Sequence, residues 1–228
     1  MELTKVIVTA MQEEADLIIK RFELKKVEKK NNIIIYEWDR KSNDWNDKII
    51  LVLAGIWKIQ AAIAMTYVLE NYSPDKIINI WIAGNLGNTD AKIGDVFLPN
   101  AFIQHDIYLP FEWNHLDYAK KWIFLEYAIW ENYDLDKFWL VLNGICLTWD
   151  QFIDDEEKVL KLREEYWADL CDMEAFAILS VARQYDMLDK CVVIKAISDW
   201  ANNEAIWAHM NNLEFAMWNS VDVLELVL

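Results

Sequence analysis

Short apolar runs rich in Val and Ile recur along the chain. They alternate with longer stretches in which apolar residues return every three or four positions. The first pattern is that of buried strands, the second that of helices with one apolar face. Strands are predicted near Lys5 to Ala10, Ile33 to Trp38, Ile49 to Ala54, Lys76 to Ala83, Asp95 to Gln104, Leu140 to Leu147 and Cys191 to Ile197. Helices are predicted near Glu13 to Phe22, Ile59 to Asn71, Asp155 to Tyr166, Met173 to Tyr185 and Leu213 to Val227. Such alternation predicts an α/β fold with a largely parallel sheet between two helical layers. The polar segment DRKSNDWNDK is turn material between the second and third strands, so these two form an antiparallel hairpin and the sheet is mixed. From Leu109 to Lys137 aromatic and acidic residues lack a clean period, which leaves a helix with irregular flanks or an active-site lid. With no internal repeat and no Pro/Gly/Ser linker, residues 1–228 are expected to form one domain.

Composition narrows the class. At 55% hydrophobic and 26% charged residues the chain can bury a sizeable core and is neither disordered nor fibrous. Its net charge of -16 would repel a phosphate backbone, so nucleic acid is excluded as the main partner. Cys146, Cys171 and Cys191 are scattered and odd in number, which predicts buried thiols rather than a disulfide framework or metal site. His105, His115 and His209 form no i, i+4 pair, so neither a metal nor a cofactor is expected. No basic leader with a long apolar run opens the chain, and no membrane span is visible. A cytoplasmic protein is expected.

In open α/β sheets ligands bind beyond the carboxyl ends of the strands. Acids stand at three of these ends: Glu13 and Glu14 after the first strand, Asp172 and Glu174 in ADLCDMEAF, and Asp199 after VVIKAIS. An acid that opens a helix can simply favour its positive pole, by about 0.3 to 1 kcal/mol. Acids together at three strand ends point instead to a site. Asp172 and Glu174 are two apart, so in an extended chain they point the same way. One carboxylate there can accept both hydroxyls of a cis-diol, which makes Glu174 a candidate ribose ligand. Asp199 follows a nearly uninterrupted apolar strand, where burial would raise its pKa and suit it to act as a general acid.

The segments AMQEEADLI, LAGIWKIQAA, IINIWIAGNLG, IGDV, TWDQFI, DLCDMEAFAI and KAISDW, in this order, resemble the 5'-methylthioadenosine/S-adenosylhomocysteine nucleosidases, a family of the purine nucleoside phosphorylase superfamily. The resemblance runs from about Lys5 to Trp200 and implies a nucleoside phosphorylase-like three-layer α/β/α fold with a central mixed sheet. It implies that Glu14 activates the attacking water and Asp199 protonates N7 of the leaving adenine. Glu174 would bind the ribose hydroxyls beside Asp172, with Met173 against the sugar. Phe152 would stack on the purine, Ile153 would meet it through its backbone, and Ser198 would orient Asp199. Ile82, Ala83 and Gly84 would also bind the substrate, Ile82 beside the nucleophile pocket. The implied partner is a small adenine nucleoside, and the implied assembly is a homodimer in which a partner segment, with Ile107 to Asp117 as candidate, closes each pocket.

Two departures from the family pattern stand out. Ile82 occupies a place where many relatives carry a small polar residue. Trp57, Trp81 and Trp149 occupy places where the family has glycine, and the chain holds 13 Trp against 5 Gly. A side chain at such strand-end positions would add a left-handed penalty of roughly 1 to 2 kcal/mol to an overpacking cost of about 1 to 3 kcal/mol. The pattern is what results when UGA codons that specify glycine are translated as tryptophan. Trp38, Trp45, Trp113, Trp130, Trp167, Trp200 and Trp207 fall in similar turn-like or polar contexts.

Two rival activities remain open at the level of sequence. A phosphorylase of the same fold would need arginines around its phosphate, whereas Arg21, Arg40, Arg163 and Arg183 lie outside the expected loops and Lys195 is better placed to pair with an acid. A nucleoside-binding protein without catalysis would follow if real tryptophans crowd the site. Methylthioadenosine, S-adenosylhomocysteine, 5'-deoxyadenosine and a futalosine-type nucleoside all remain possible substrates.

Overall fold

A computed structural model describes residues 3–41, 46–87, 89–107, 122–127 and 140–228. Most of the Leu109 to Lys137 stretch and of the Ile107 to Asp117 segment lies outside these residues, as do Trp45, Trp113 and Trp130.

The centre of the sheet is built from the strands with the longest apolar runs. β1 (Leu3–Thr9) lies parallel to β4 (Asn46–Leu53) on one side and to β5 (Lys76–Asn85) on the other, and β5 continues in parallel to β12 (Cys191–Asp199). Strands covered on both faces need apolar residues at every position rather than at every second one. Successive residues then serve opposite layers. Val6 and Val8 face the core under α2 (Lys58–Asn71) and α4 (Ala175–Gln184), while Ile7 faces the core under α1 (Gln12–Phe22) and α5 (Ala205–Val227). The result is the three-layer α/β/α arrangement with a mixed sheet.

The predicted hairpin is present, β3 (Ile33–Lys41) running antiparallel to β4. Outside it lies β2 (Lys25–Lys30), which the apolar pattern does not reveal. Its sequence KKVEKK is that of an edge strand, where lysines discourage pairing with another chain. The predicted strand from Asp95 to Gln104 is two strands, β6 (Val96–Leu98) and β7 (Ala101–Gln104), because Pro99 lacks the amide to continue the ladder. The predicted strand from Leu140 to Leu147 also divides, into β9 (Leu140–Leu142) and β10 (Ile145–Thr148), where Asn143 and Gly144 take positive φ values of 72° and 134°. β6 joins β12 and β9, while β7 joins β10 and β8 (Trp122–Phe124).

One short strand positions the site. β11 (Leu170–Asp172) pairs in parallel with β10 and antiparallel with the end of β5, with Cys171 opposite Gly84. β5 therefore shares its length between β12 and β11, and the ends of these two strands converge. The crossing requires a glycine: a Cβ on Gly84 would stand 2.9 Å from Cys171 Sγ and 3.1 Å from Asp199 Oδ1. α3 (Glu156–Tyr166) closes the outer end, its first turn capped by Asp155, which accepts from the amides of Glu157 and Lys158. α5 begins eight residues before the predicted Leu213, since its first turns expose Ile206, Trp207 and Met210 and so carry no inward apolar stripe.

Candidate active site

The ends of β1, β5, β11 and β12 open onto a cavity of about 200 Å³. All eleven residues expected at the site line it: Glu14, Ile82, Ala83, Gly84, Phe152, Ile153, Asp172, Met173, Glu174, Ser198 and Asp199.

Glu14 is the third residue of α1 and is almost fully buried. Met11 has an extended backbone that turns the chain into the helix, and this folds the Glu14 side chain back onto the end of β1. Its Oε2 accepts from Thr9 Oγ1 at 3.0 Å and from the Met11 amide at 2.9 Å, and its Oε1 accepts from the Ile82 amide at 3.4 Å. Burial raises its pKa, opposed by the Met11 and Thr9 hydrogen bonds. The carboxylate is thereby held in one orientation while staying basic enough to take a proton. The Ile82 side chain cannot hydrogen-bond, yet its amide contributes to the same carboxylate.

Asp199 ends β12 at 2% exposure. Its Oδ1 accepts from the Ala201 amide at 2.8 Å and its Oδ2 from Ser198 Oγ at 2.8 Å. Ser198 is thus in contact with the acid it was expected to orient.

Asp172 and Glu174 are both buried but do different work. Glu174 Oε1 accepts from the Trp57 amide at 2.9 Å and Oε2 from the Met173 amide at 3.2 Å. Burial, then the charge of Asp172, push its pKa up to about 8. Asp172 also lines the cavity, but its oxygens are engaged within the wall. Its Oδ2 meets Lys195 Nζ at 2.7 Å and the Ala175 amide at 2.9 Å, and its Oδ1 accepts from Thr148 Oγ1 at 2.5 Å. Lys195 does pair with an acid, as its strand position led us to expect, and it is a fully buried cation among carboxylates. Phe152 stands partly exposed at the mouth while Ile153 is buried.

Several contributors carry no signal in the sequence. The Trp57 amide is a backbone donor, which any residue but proline could supply. Thr9 and Thr148 look like ordinary strand residues. His209 lies in the part of α5 without an apolar stripe, and considering histidines only as metal ligands passes over it. Among the described residues no group of three or more His, Cys, Asp or Glu could hold a metal ion.

The tryptophans fit poorly where glycine was expected. Trp57 adopts φ 86° and ψ 150°, close to a region that is essentially restricted to glycine. Trp167 adopts φ 54° at the left-handed end of α3. Trp81 lines the cavity at 2% exposure with its indole Nε1 unpartnered among the described residues. The cavity itself falls below the roughly 300 to 1,000 Å³ usual for small-molecule sites.

A model of the phosphorylase superfamily matches residues 4–228, and the chain belongs to that superfamily. The 5'-methylthioadenosine/S-adenosylhomocysteine nucleosidase of Tolumonas auensis is 30% identical over 181 residues, 75% of this chain and 77% of that protein. That of Bacillus subtilis is 29% identical over 232 residues, 97% of this chain and 95% of that protein. Within the superfamily the chain is a member of this nucleosidase family. In fold it matches the Helicobacter pylori nucleosidase solved with butyl-thio-DADMe-Immucillin-A, with TM-score 0.84, 21% identity and coverage of 98% of this chain and 97% of that one. It also matches the futalosine hydrolase of Helicobacter pylori, with TM-score 0.83, 22% identity and coverage of 98% and 96%.

Proposed function

We propose that the chain, acting as one nucleosidase domain, hydrolyses the N-glycosidic bond of 5'-methylthioadenosine, S-adenosylhomocysteine or a related adenine nucleoside and releases adenine. The observation that carries this reading is the pair of separately anchored acids, Glu14 and Asp199, in one cavity that also holds Glu174. Cleavage through an oxocarbenium-like transition state needs a proton for the leaving group and a carboxylate to take a proton from water. Asp199 gives its proton to adenine N7 as the glycosidic bond breaks, so the base departs neutral. Glu14 takes a proton from the water that attacks the anomeric carbon. Glu174 accepts from the ribose hydroxyls, Met173 packs on the sugar, and Phe152 and Ile153 hold the purine.

Hydrolysis is favoured over phosphorolysis by the arginines. Arg21 is engaged at the surface with Glu225 and Asp222, and neither Arg163 nor Arg183 lines the cavity. We further infer a cytoplasmic homodimer that serves methionine salvage. In support of the dimer, Ile56 in the cavity wall and Ile59 and Ile63 on α2 are exposed. The test is adenine release from methylthioadenosine and from S-adenosylhomocysteine by the purified chain. Ligand binding without release would leave only a nucleoside-binding protein.

A further inference from the structure

One group in the cavity wall has no part in the chemistry above. The early start of α5 carries His209 back over the end of β12. Its Nδ1 lies 3.4 Å from Ser198 Oγ and 3.7 Å from Asp199 Oδ2. The ring meets Phe152 edge-on, with centroids 5.5 Å apart and planes at 88°. On its own helix, Asn212 Nδ2 donates to the Ser198 carbonyl at 3.1 Å, which ties this turn of α5 to the strand end. The groups that face the imidazole are thus Asp199 and Ser198 from β12 and Phe152 from the loop after β10. Among the described residues Asp199 is the ionisable one of these.

After each turnover Asp199 is a carboxylate and must regain a proton before it can act again. Its side chain is 3% exposed, whereas that of His209 is 22% exposed. The Ala201 amide cannot deliver its proton, and the Ser198 hydroxyl can pass one on only if another donor refills it. Imidazole has two ring nitrogens that can each carry a proton, so it can take a proton from solvent and offer one inward.

We propose that His209 is the relay that recharges Asp199. The imidazolium Nδ1–H bond breaks and an O–H bond forms at Asp199 Oδ2, either directly or through Ser198, whose hydroxyl passes its own proton on as it receives the one from His209. Neutral imidazole and a carboxylic acid result, and hydronium or a buffer acid returns a proton to the ring. His209 acts through Asp199 and is not required to touch the nucleoside. The inference rests on the reading of Asp199 as the acid and deepens it.

The test compares kcat across pH for the wild type, His209→Phe and His209→Gln. The first substitution keeps the ring against Phe152 and the second keeps a hydrogen-bonding group at a partly exposed position. The substrates are methylthioadenosine and a nitrophenyl riboside, whose leaving group departs without a proton. With methylthioadenosine, both variants should keep KM within about 3-fold and lose at least about 10-fold in kcat above neutral pH. Turnover should recover at acid pH and on adding free imidazole, while the nitrophenyl substrate is cleaved at the wild-type rate. Wild-type profiles in both variants would overturn the relay, as would an equal loss on both substrates that imidazole does not relieve. A wild-type protein that releases no adenine would instead overturn the proposed function itself.

Discussion

Each proposed role at the site depends on a single atom. Glu14→Gln keeps a side chain that can accept from Thr9 and Met11 but cannot take a proton from water. It should abolish turnover while ligand binding stays measurable by calorimetry, and near-normal turnover would remove Glu14 as the base. Asp199→Asn should lower kcat on methylthioadenosine by about 10² to 10⁴, the usual span for proton transfer by a positioned group, and lower it far less on a nitrophenyl riboside. At Trp57 the side chain is 58% exposed and contributes little packing, whereas its backbone conformation costs about 1 to 3 kcal/mol for any residue with a Cβ. Trp57→Gly should therefore raise stability by about 1 kcal/mol or more in urea unfolding, after the added chain entropy of glycine is subtracted. Coding DNA with UGA at positions 57, 81 and 149 would make glycine the working residue there, and UGG at any of the three would end that account.

The decisive element is the junction from β11 into α4. Met173 carries the chain from a strand end to a helix start, which turns the Asp172 side chain to Lys195 and that of Glu174 to the Trp57 and Met173 amides. The sequence spacing marks both acids but not this division of labour, because two residues apart point the same way only while the chain stays extended. Here Glu174 already has φ -139° and ψ -34°. Lys195→Met should cost about 3 to 5 kcal/mol of stability, since it strands the Asp172 charge in the interior. Glu174 gives a dependence on pH. Its pKa in the folded chain is raised from 4.5 to about 8, so across that window the native state holds a proton that the unfolded state has released. Stability of the ligand-free protein should consequently fall as pH rises from about 5 to 8, by up to roughly 1.4 kcal/mol per unit for one proton. Glu174→Gln should flatten the slope, and an unchanged slope would place its origin elsewhere.

Across the whole molecule, the long apolar strands and the hairpin were legible because burial on two faces leaves a continuous Val and Ile signal. β2, β8 and β11 were not, since three to six residues at an edge or a crossing carry too little pattern. Glu14 and Asp199 were legible for a related reason, since they follow strands whose apolar runs end abruptly, whereas Asp172 and Glu174 stood out by their spacing. His209 and the Trp57 amide were not, one lying on a helix turn that faces outward and the other being a backbone group. If Ile59 and Ile63 are covered by a second copy, Ile63→Asp should convert a dimer into monomers in sedimentation and weaken turnover, whereas an unchanged sedimentation coefficient would reject that face.

In the proposed hydrolysis Asp199 donates a proton and Glu14 receives one from water. The most direct test is the product formed from methylthioadenosine in phosphate-free buffer. Adenine and free methylthioribose should appear in equal amounts, at a rate that added phosphate does not change and that Asp199→Asn lowers by about 10² or more. A reaction that needs phosphate and yields a ribose 1-phosphate, or one that Asp199→Asn leaves intact, would contradict it.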